Sequence, residues 1–321
     1  MNKVLLPKMF NGSRYADRLP IGTEPVIANF KYDAIKRFYK DWYRPDLMAV
    51  VAVGDIDPKV AEKLIKTHFG PLKNPAKPRP REYAAIPVRS ETEAVVITDK
   101  EASSDTLLIR YPVQEDIEQP TFGDYREKLV ETLFTGMLNE RMQELSQQAA
   151  PPFIGGSSSI SRLTARYKSY TAFAALGKGG AKPAINALVQ ENERARLFGF
   201  SAAELERMKK NLMRHYERAY NERDKTDSAS HVAEYVRNFL EQESIPGIEN
   251  EYRYVQELVP GITLEEINKY TRDTIPDSSA KLVVYMGNTN SDTPIPTSAQ
   301  LLASVSKAEK TAVVARDDKA V

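Results

Sequence analysis

Residues 73–81 read Lys-Asn-Pro-Ala-Lys-Pro-Arg-Pro-Arg, and no regular element tolerates that stretch. Each proline removes a backbone donor and biases the residue before it towards extended backbone, which excludes a helix or an inner strand. The interleaved basic side chains have little to bury. The stretch therefore holds an extended conformation and divides the chain, with residues 76–85 as the linker. A length of 321 residues suits about two domains on either side of such a division.

Ahead of the linker, residues 32–42 place Ile35, Phe38, Tyr39 and Trp42 on one helical face, a periodicity that predicts a helix ending before Pro45. Residues 47–53 form a continuous apolar run rich in valine, which predicts a strand covered on both faces. Asp57 followed by Pro58 then opens a second helix that Gly70 and Pro71 close. This short unit cannot cover both faces of its strand alone, so it is expected to lean on the rest of the chain or on a neighbour.

Behind the linker, strands are predicted at 94–98 and 106–111, a helix at about 124–145, one or two strands within 162–176 and a helix at 183–198. Ser201 with Glu204 makes a capping-box pattern ahead of Leu205, Met208 and Leu212, which predicts a long helix. Helices at about 228–242 and from Thr263 follow, then a closing strand at 281–286. Strands and helices are mixed without regular alternation, which points to α+β. Residues 289–321 show weak periodicity and read as a linker or tail.

The balance of 45 Lys plus Arg against 44 Asp plus Glu creates no global field for nucleic acid or an anionic membrane. With no cysteine, thiolate catalysis and Cys-based zinc sites are excluded, and the compartment stays open between cytoplasm and bacterial periplasm. No apolar run reaches the roughly 18 residues that a membrane helix needs. The first ten residues lack a secretion-signal pattern.

Three ordered segments carry a family resemblance: 12–22 (Gly-Ser-Arg-Tyr-Ala-Asp-Arg-Leu-Pro-Ile-Gly), Phe38-Tyr39 with Trp42-Tyr43-Arg44-Pro45, and Val51-Ala52-Val53-Gly54-Asp55-Ile56. In that order and spacing they resemble the second half of the catalytic domain of the M16 peptidases, the family of pitrilysin, insulin-degrading enzyme and the mitochondrial processing peptidase. Leu138-Asn139-Glu140-Arg141-Met142, Pro151-Pro152-Phe153 and Gly199-Phe200-Ser201 with Glu204-Leu205 resemble the family's second, related domain. The resemblance implies an M16 peptidase-like (LuxS/MPP-like) α/β sandwich, with 1–75 an incomplete first domain and 86–288 a complete second one. It also implies peptide or unfolded-protein substrates, enclosed with the help of further M16 domains on the same or another chain.

The family's zinc motif is H-x-x-E-H plus a later glutamate, because two histidines one helical turn apart face the metal together. Here Ala219 stands four residues after His215, and Tyr235 four after His231, while His68 precedes Phe69 and Gly70. His231-Val232-Ala233-Glu234-Tyr235 imitates the motif with a poor ligand at its end; as an alternative, His231 is a polar residue on a surface helix. No cofactor is expected in this chain, and zinc is expected in the full-length protein if that is active. The resemblance therefore implies a non-catalytic, substrate-enclosing segment of a zinc endopeptidase, or else a peptidase-dead scaffold or assembly subunit.

Candidate substrate contacts are Arg141, Phe153, Gly155 and Gly156. Arg141 matches by position the arginine of an Arg/Tyr pair that the family uses near the scissile bond, but Gln148 stands where the tyrosine would be. Its alternative is a surface helix residue. The Phe153 to Gly156 stretch is a turn that either lines a substrate chamber or only joins a helix to a strand.

Overall fold

The computed structural model describes residues 2–116, 121–277 and 279–316. Four helices come first: α1 (Asn2–Phe10), α2 (Glu24–Asn29), α3 (Tyr32–Trp42) and α4 (Pro58–Phe69). Next come β1 (Glu93–Asp99), β2 (Thr106–Glu115), α5 (Phe122–Ser146), β3 (Gly155–Thr164) and β4 (Tyr167–Ala175). Helices α6 (Ala181–Phe198), α7 (Ala202–Asn221), α8 (Ser228–Glu241), α9 (Ile248–Leu258) and α10 (Leu264–Thr274) precede β5 (Leu282–Asn288) and α11 (Ser298–Lys310).

The strands form one sheet in the order β1-β5-β2-β4-β3, with β1 parallel to β5 and the other pairs antiparallel. Alternation along β2 sets the layers. Leu107, Ile109 and Tyr111 face the main core, which α5 fills with Leu133, Phe134, Met137, Leu138 and Met142, and α6 with Ala184, Ile185 and Leu188. Leu108 points the other way, to a smaller cluster of Val95, Ile97, Leu282 and Val284 that Leu5 and Met9 of α1 help to cover. The fold is thus a mixed sheet with helices segregated mainly to one face, the α+β arrangement that the order of elements predicted.

Capping signals translate directly into structure. The Ser201 hydroxyl accepts from the Glu204 amide at 3.1 Å, and the Glu204 carboxylate accepts from the Ser201 amide at 2.8 Å, so two donors at the start of α7 are satisfied reciprocally. Asp57 accepts from the Lys59 amide at 2.8 Å and opens α4, with Pro58 at its first position.

Two expectations fail. Residues 47–53 are no strand: the backbone at Met48 is extended (φ −122°, ψ 147°), but among the described residues nothing pairs with it, and Met48 and Val50 are exposed. An extended apolar run becomes a strand only when a second edge supplies its hydrogen bonds. Helices α3 and α4 bury no residue and Phe38 is 56% exposed, so this part of the unit has no cover from the sheet, whereas α1 packs Leu5 and Met9 on it. Instead Arg79 of the proline-rich stretch reaches back, stacking 5.4 Å from the centre of the Trp42 ring and meeting Asp41 at 3.4 Å. Finally, the tail reading of 289–321 is wrong for α11, where a second capping box (Thr297 with Gln300) starts a helix that buries Leu301, Val305 and Ala308 in the main core. The small residues that weaken its periodicity let it lie close to α6 and β1.

Candidate functional site

Strand β3 is one of the two edges of the sheet, with β1 at the other, and it offers backbone groups to an extended ligand. It hydrogen-bonds to β4 on one side and is last in the sheet order, and a strand edge presents backbone donors and acceptors to any extended chain. Asn139 of α5 reveals which residues aim outward: its amide donates to the Ser158 carbonyl at 3.0 Å and accepts from the Ser158 N–H at 2.7 Å. Both backbone groups of Ser158 thus point away from β4, and the two-residue alternation turns those of Gly156 and Ile160 the same way. Asn139 therefore fills one rung of the edge and leaves its neighbours on either side.

Gly155 and Gly156 begin this edge and are partly exposed. At Gly156 a side chain is impossible without rearrangement, because a Cβ would lie 2.6 Å from the Phe153 ring. Phe153 is itself fully buried and forms the floor beneath the strand. It supports the edge from below and has no surface for a ligand.

Arg141 is a buried structural residue, neither a substrate contact on an open surface nor the exposed helix residue of the alternative reading. It is 2% exposed. Its Nε and Nη2 donate to the two Glu204 oxygens at 2.6 and 2.8 Å, Nη1 donates to Glu191 at 3.2 Å and Nη2 to the Gly199 carbonyl at 3.1 Å. The guanidinium also lies 4.4 Å from the centre of the Phe200 ring. Gly199 ends α6 at φ +72°, a conformation that other residues rarely adopt, and so turns its carbonyl to Arg141. Burial alone would raise the Glu204 carboxyl, but the bidentate Arg141 more than offsets it and holds the group below its ordinary value. One arginine thereby joins α5, α6 and α7. The partners lie 50 and 63 residues from Arg141, a distance that no local sequence signal spans.

The histidines are dispersed. His68 lies in the last turn of α4, His215 makes an edge contact with Tyr216 in α7, and His231 stacks on Tyr235 in α8. Among the described residues no group of three or more His, Asp or Glu is placed to hold a metal. His231 and Tyr235 share a helix face, as their spacing predicted, but no third donor converges on them, so this donor set does not fit a catalytic zinc.

The Peptidase M16 inactive domain family matches residues 29–212 of this chain. The chain belongs to the M16 peptidase family. This match runs straight through the proline-rich stretch and includes the exposed α3 and α4 as well as β1 to β4. The chain is 33% identical over 264 residues to an M16 relative, the zinc protease PQQL-like of Arabidopsis thaliana, covering 82% of this chain and 25% of that protein. It is 26% identical over 266 residues to the probable zinc protease PqqL of Escherichia coli K12, of which it covers 28%. The chain thus spans about a quarter of the length of these M16 relatives. In fold it resembles the first half of the periplasmic protease PqqL from Escherichia coli, with a TM-score of 0.82 at 21% identity over 97% of this chain and 66% of that one. A second M16 fold neighbour is the ferredoxin protease FusC in complex with Arabidopsis ferredoxin, with a TM-score of 0.74 at 19% identity over 100% of this chain and 36% of that one.

Proposed function

We propose that this chain is the non-catalytic, substrate-enclosing segment of a zinc-dependent M16 endopeptidase that acts on peptides or unfolded proteins. The observation that carries the reading is the partly open β3 edge on a sheet of the M16 fold, in a chain whose own histidines do not converge. Residues 1–75 are assigned to the end of a first domain whose zinc motif lies outside this sequence, 76–85 to the linker and 86–288 to the second domain, which α11 extends. Zinc, where the whole protein uses it, supplies a Lewis acid and an activated water from that other domain. The residues here hold an extended substrate by backbone hydrogen bonds along β3, with Gly155, beside which nothing lies within 4 Å of a Cβ position, allowing close approach, while the M16 domains beyond this sequence complete the enclosure. A protein substrate of the kind bound by the ferredoxin protease is compatible with such an edge.

The test uses purified chain, zinc and a fluorescent unstructured peptide. Binding without cleavage is expected, and Ile160→Pro should weaken it at least tenfold by removing an outward N–H while sparing the β4 ladder. Chelator-sensitive cleavage by this chain alone would overturn the reading. The rung filled by Asn139 favours a second reading, a peptidase-dead M16-like scaffold subunit, because a blocked rung protects an edge against added strands. A chain with no affinity for any extended peptide would decide for the scaffold.

A further inference from the structure

Arg110 stands in β2 opposite Leu282 of β5 and Thr171 of β4. Its neighbours Ile109 and Tyr111 enter the helix-covered core, so pleating sends Arg110 to the opposite face, under the cover that includes α1. It is 9% exposed there. Its Nε and Nη1 are buried and have no hydrogen-bond partner among the described residues. The hydroxyl of Thr171, directly across the ladder, is also buried and unpartnered.

Arg89 lies against the same small cavity, whose walls include Met9, Asn11, Val113 and Ala280, and among the described residues no Asp or Glu lines it. Arg89 donates to the Lys8 carbonyl and meets one acid, Glu93, at 3.1 Å. Lys8 shares that carboxylate at 2.8 Å. Lys8 and Arg89 therefore already share this one carboxylate, while Arg110 has Arg89 near it and no ion-paired acid among the described residues. Burial first, and then repulsion from Arg89, brings the Arg110 guanidinium down to about 10, so it remains charged at neutral pH. A buried charge with no counter-charge is strongly disfavoured. A water molecule would satisfy the N–H donors and leave the charge unbalanced. The cavity encloses only about 20 Å³, room for roughly one water-sized group.

We infer that this cavity binds a small monovalent anion, a halide or a single carboxylate group, between Arg89 and Arg110. The site joins three segments: the end of α1, the backbone returning at Ile86 and Pro87 from the exposed unit, and the sheet. Asn11 already donates to the Pro87 carbonyl across it at 3.0 Å. A bound anion ties both ends of the excursion from residue 12 to residue 85 to one point on the sheet, adding to the apolar contacts of Phe10 and Ile86 with Tyr167.

Thermal melts at constant ionic strength test this, with potassium chloride or potassium formate replacing potassium methanesulfonate, whose anion has no carboxylate and is too large for the cavity. A saturable rise of about 2–4 °C in chloride is expected, lost in Arg110→Met. A rise in formate but not in chloride assigns the site to a carboxylate group in place of a dissolved halide. If Arg110→Met does not fold, crystals of the unaltered chain soaked in bromide decide, through an anomalous peak within hydrogen-bonding reach of Arg110 and Arg89. Identical melts in all three salts, together with no bromide in the cavity, overturn the inference.

Discussion

Helices α3 and α5 both carry several large apolar side chains, yet α5 buries eight residues and α3 buries none. The difference lies in what stands opposite. Helix α5 packs its apolar side on the sheet and on α6, α7 and α10, whereas Ile35, Phe38 and Tyr39 of α3 face open space. Periodicity specifies which side of a helix needs covering; it carries no information about the cover. The unit before the linker is patterned for a core that these residues do not complete, and the sheet unit completes its own.

Truncating one aromatic in each unit should break the symmetry most sharply. Phe134→Ala removes a fully buried ring that touches Tyr170, Phe200 and Tyr270, and about 3–5 kcal/mol of stability should be lost in urea unfolding. Phe38→Ala should cost less than about 0.5 kcal/mol. A large loss from Phe38→Ala would show that α3 is covered in solution.

Arg141→Met should cost somewhat less than the aromatic truncation, about 3 kcal/mol near neutral pH, because it leaves the Glu204 carboxylate buried without its cation, while Glu191 keeps Arg194. The pH dependence sharpens the assignment. Glu204 is held below its ordinary 4.5 in the folded chain, so its contribution is present above that value and lost as pH falls through the lower folded one. Melting midpoints should therefore drop below about pH 4.5, and Arg141→Met should flatten that part of the curve. An unchanged acid limb would remove Glu204 from the account.

The smallest comparison is between the two N-caps. Ser201→Ala should cost about 1 kcal/mol of global stability, whereas Asp57→Ala, a cap of equal quality, should fray α4 without moving the main unfolding transition. Hydrogen exchange reads the same contrast: amides at 48–53 should exchange rapidly, and those of β2 and β5 only with global unfolding.

The pattern of success in reading the sequence follows from range. Helix starts at Asp57, Ser201 and Thr263 were legible because a cap is settled within four residues. Strand β3 was not, because Gly155-Gly156-Ser157-Ser158-Ser159 carries no apolar alternation and owes its conformation to β4 and Asn139. The run at 47–53 misled in the opposite sense, offering apolar content with no partner. Thr297 with Gln300 was a legible cap that the weak periodicity of α11 obscured. At the candidate edge, Gly155 and Gly156 were read as part of a turn and instead begin β3, while Arg141 was singled out by position and turned out to be a tie between three helices. Long-range pairing decides both outcomes, and one sequence alone does not display it.

The parallel pairing of β1 with β5 has a consequence for how the protein is made. The first strand of the sheet hydrogen-bonds to the last, so during synthesis β1 leaves the ribosome long before its neighbour exists. At about 5–20 residues per second, the valines of β1 wait on the order of ten seconds with an open edge. That interval favours a holding chaperone, and it makes the nascent chain more prone to misassembly than the finished fold.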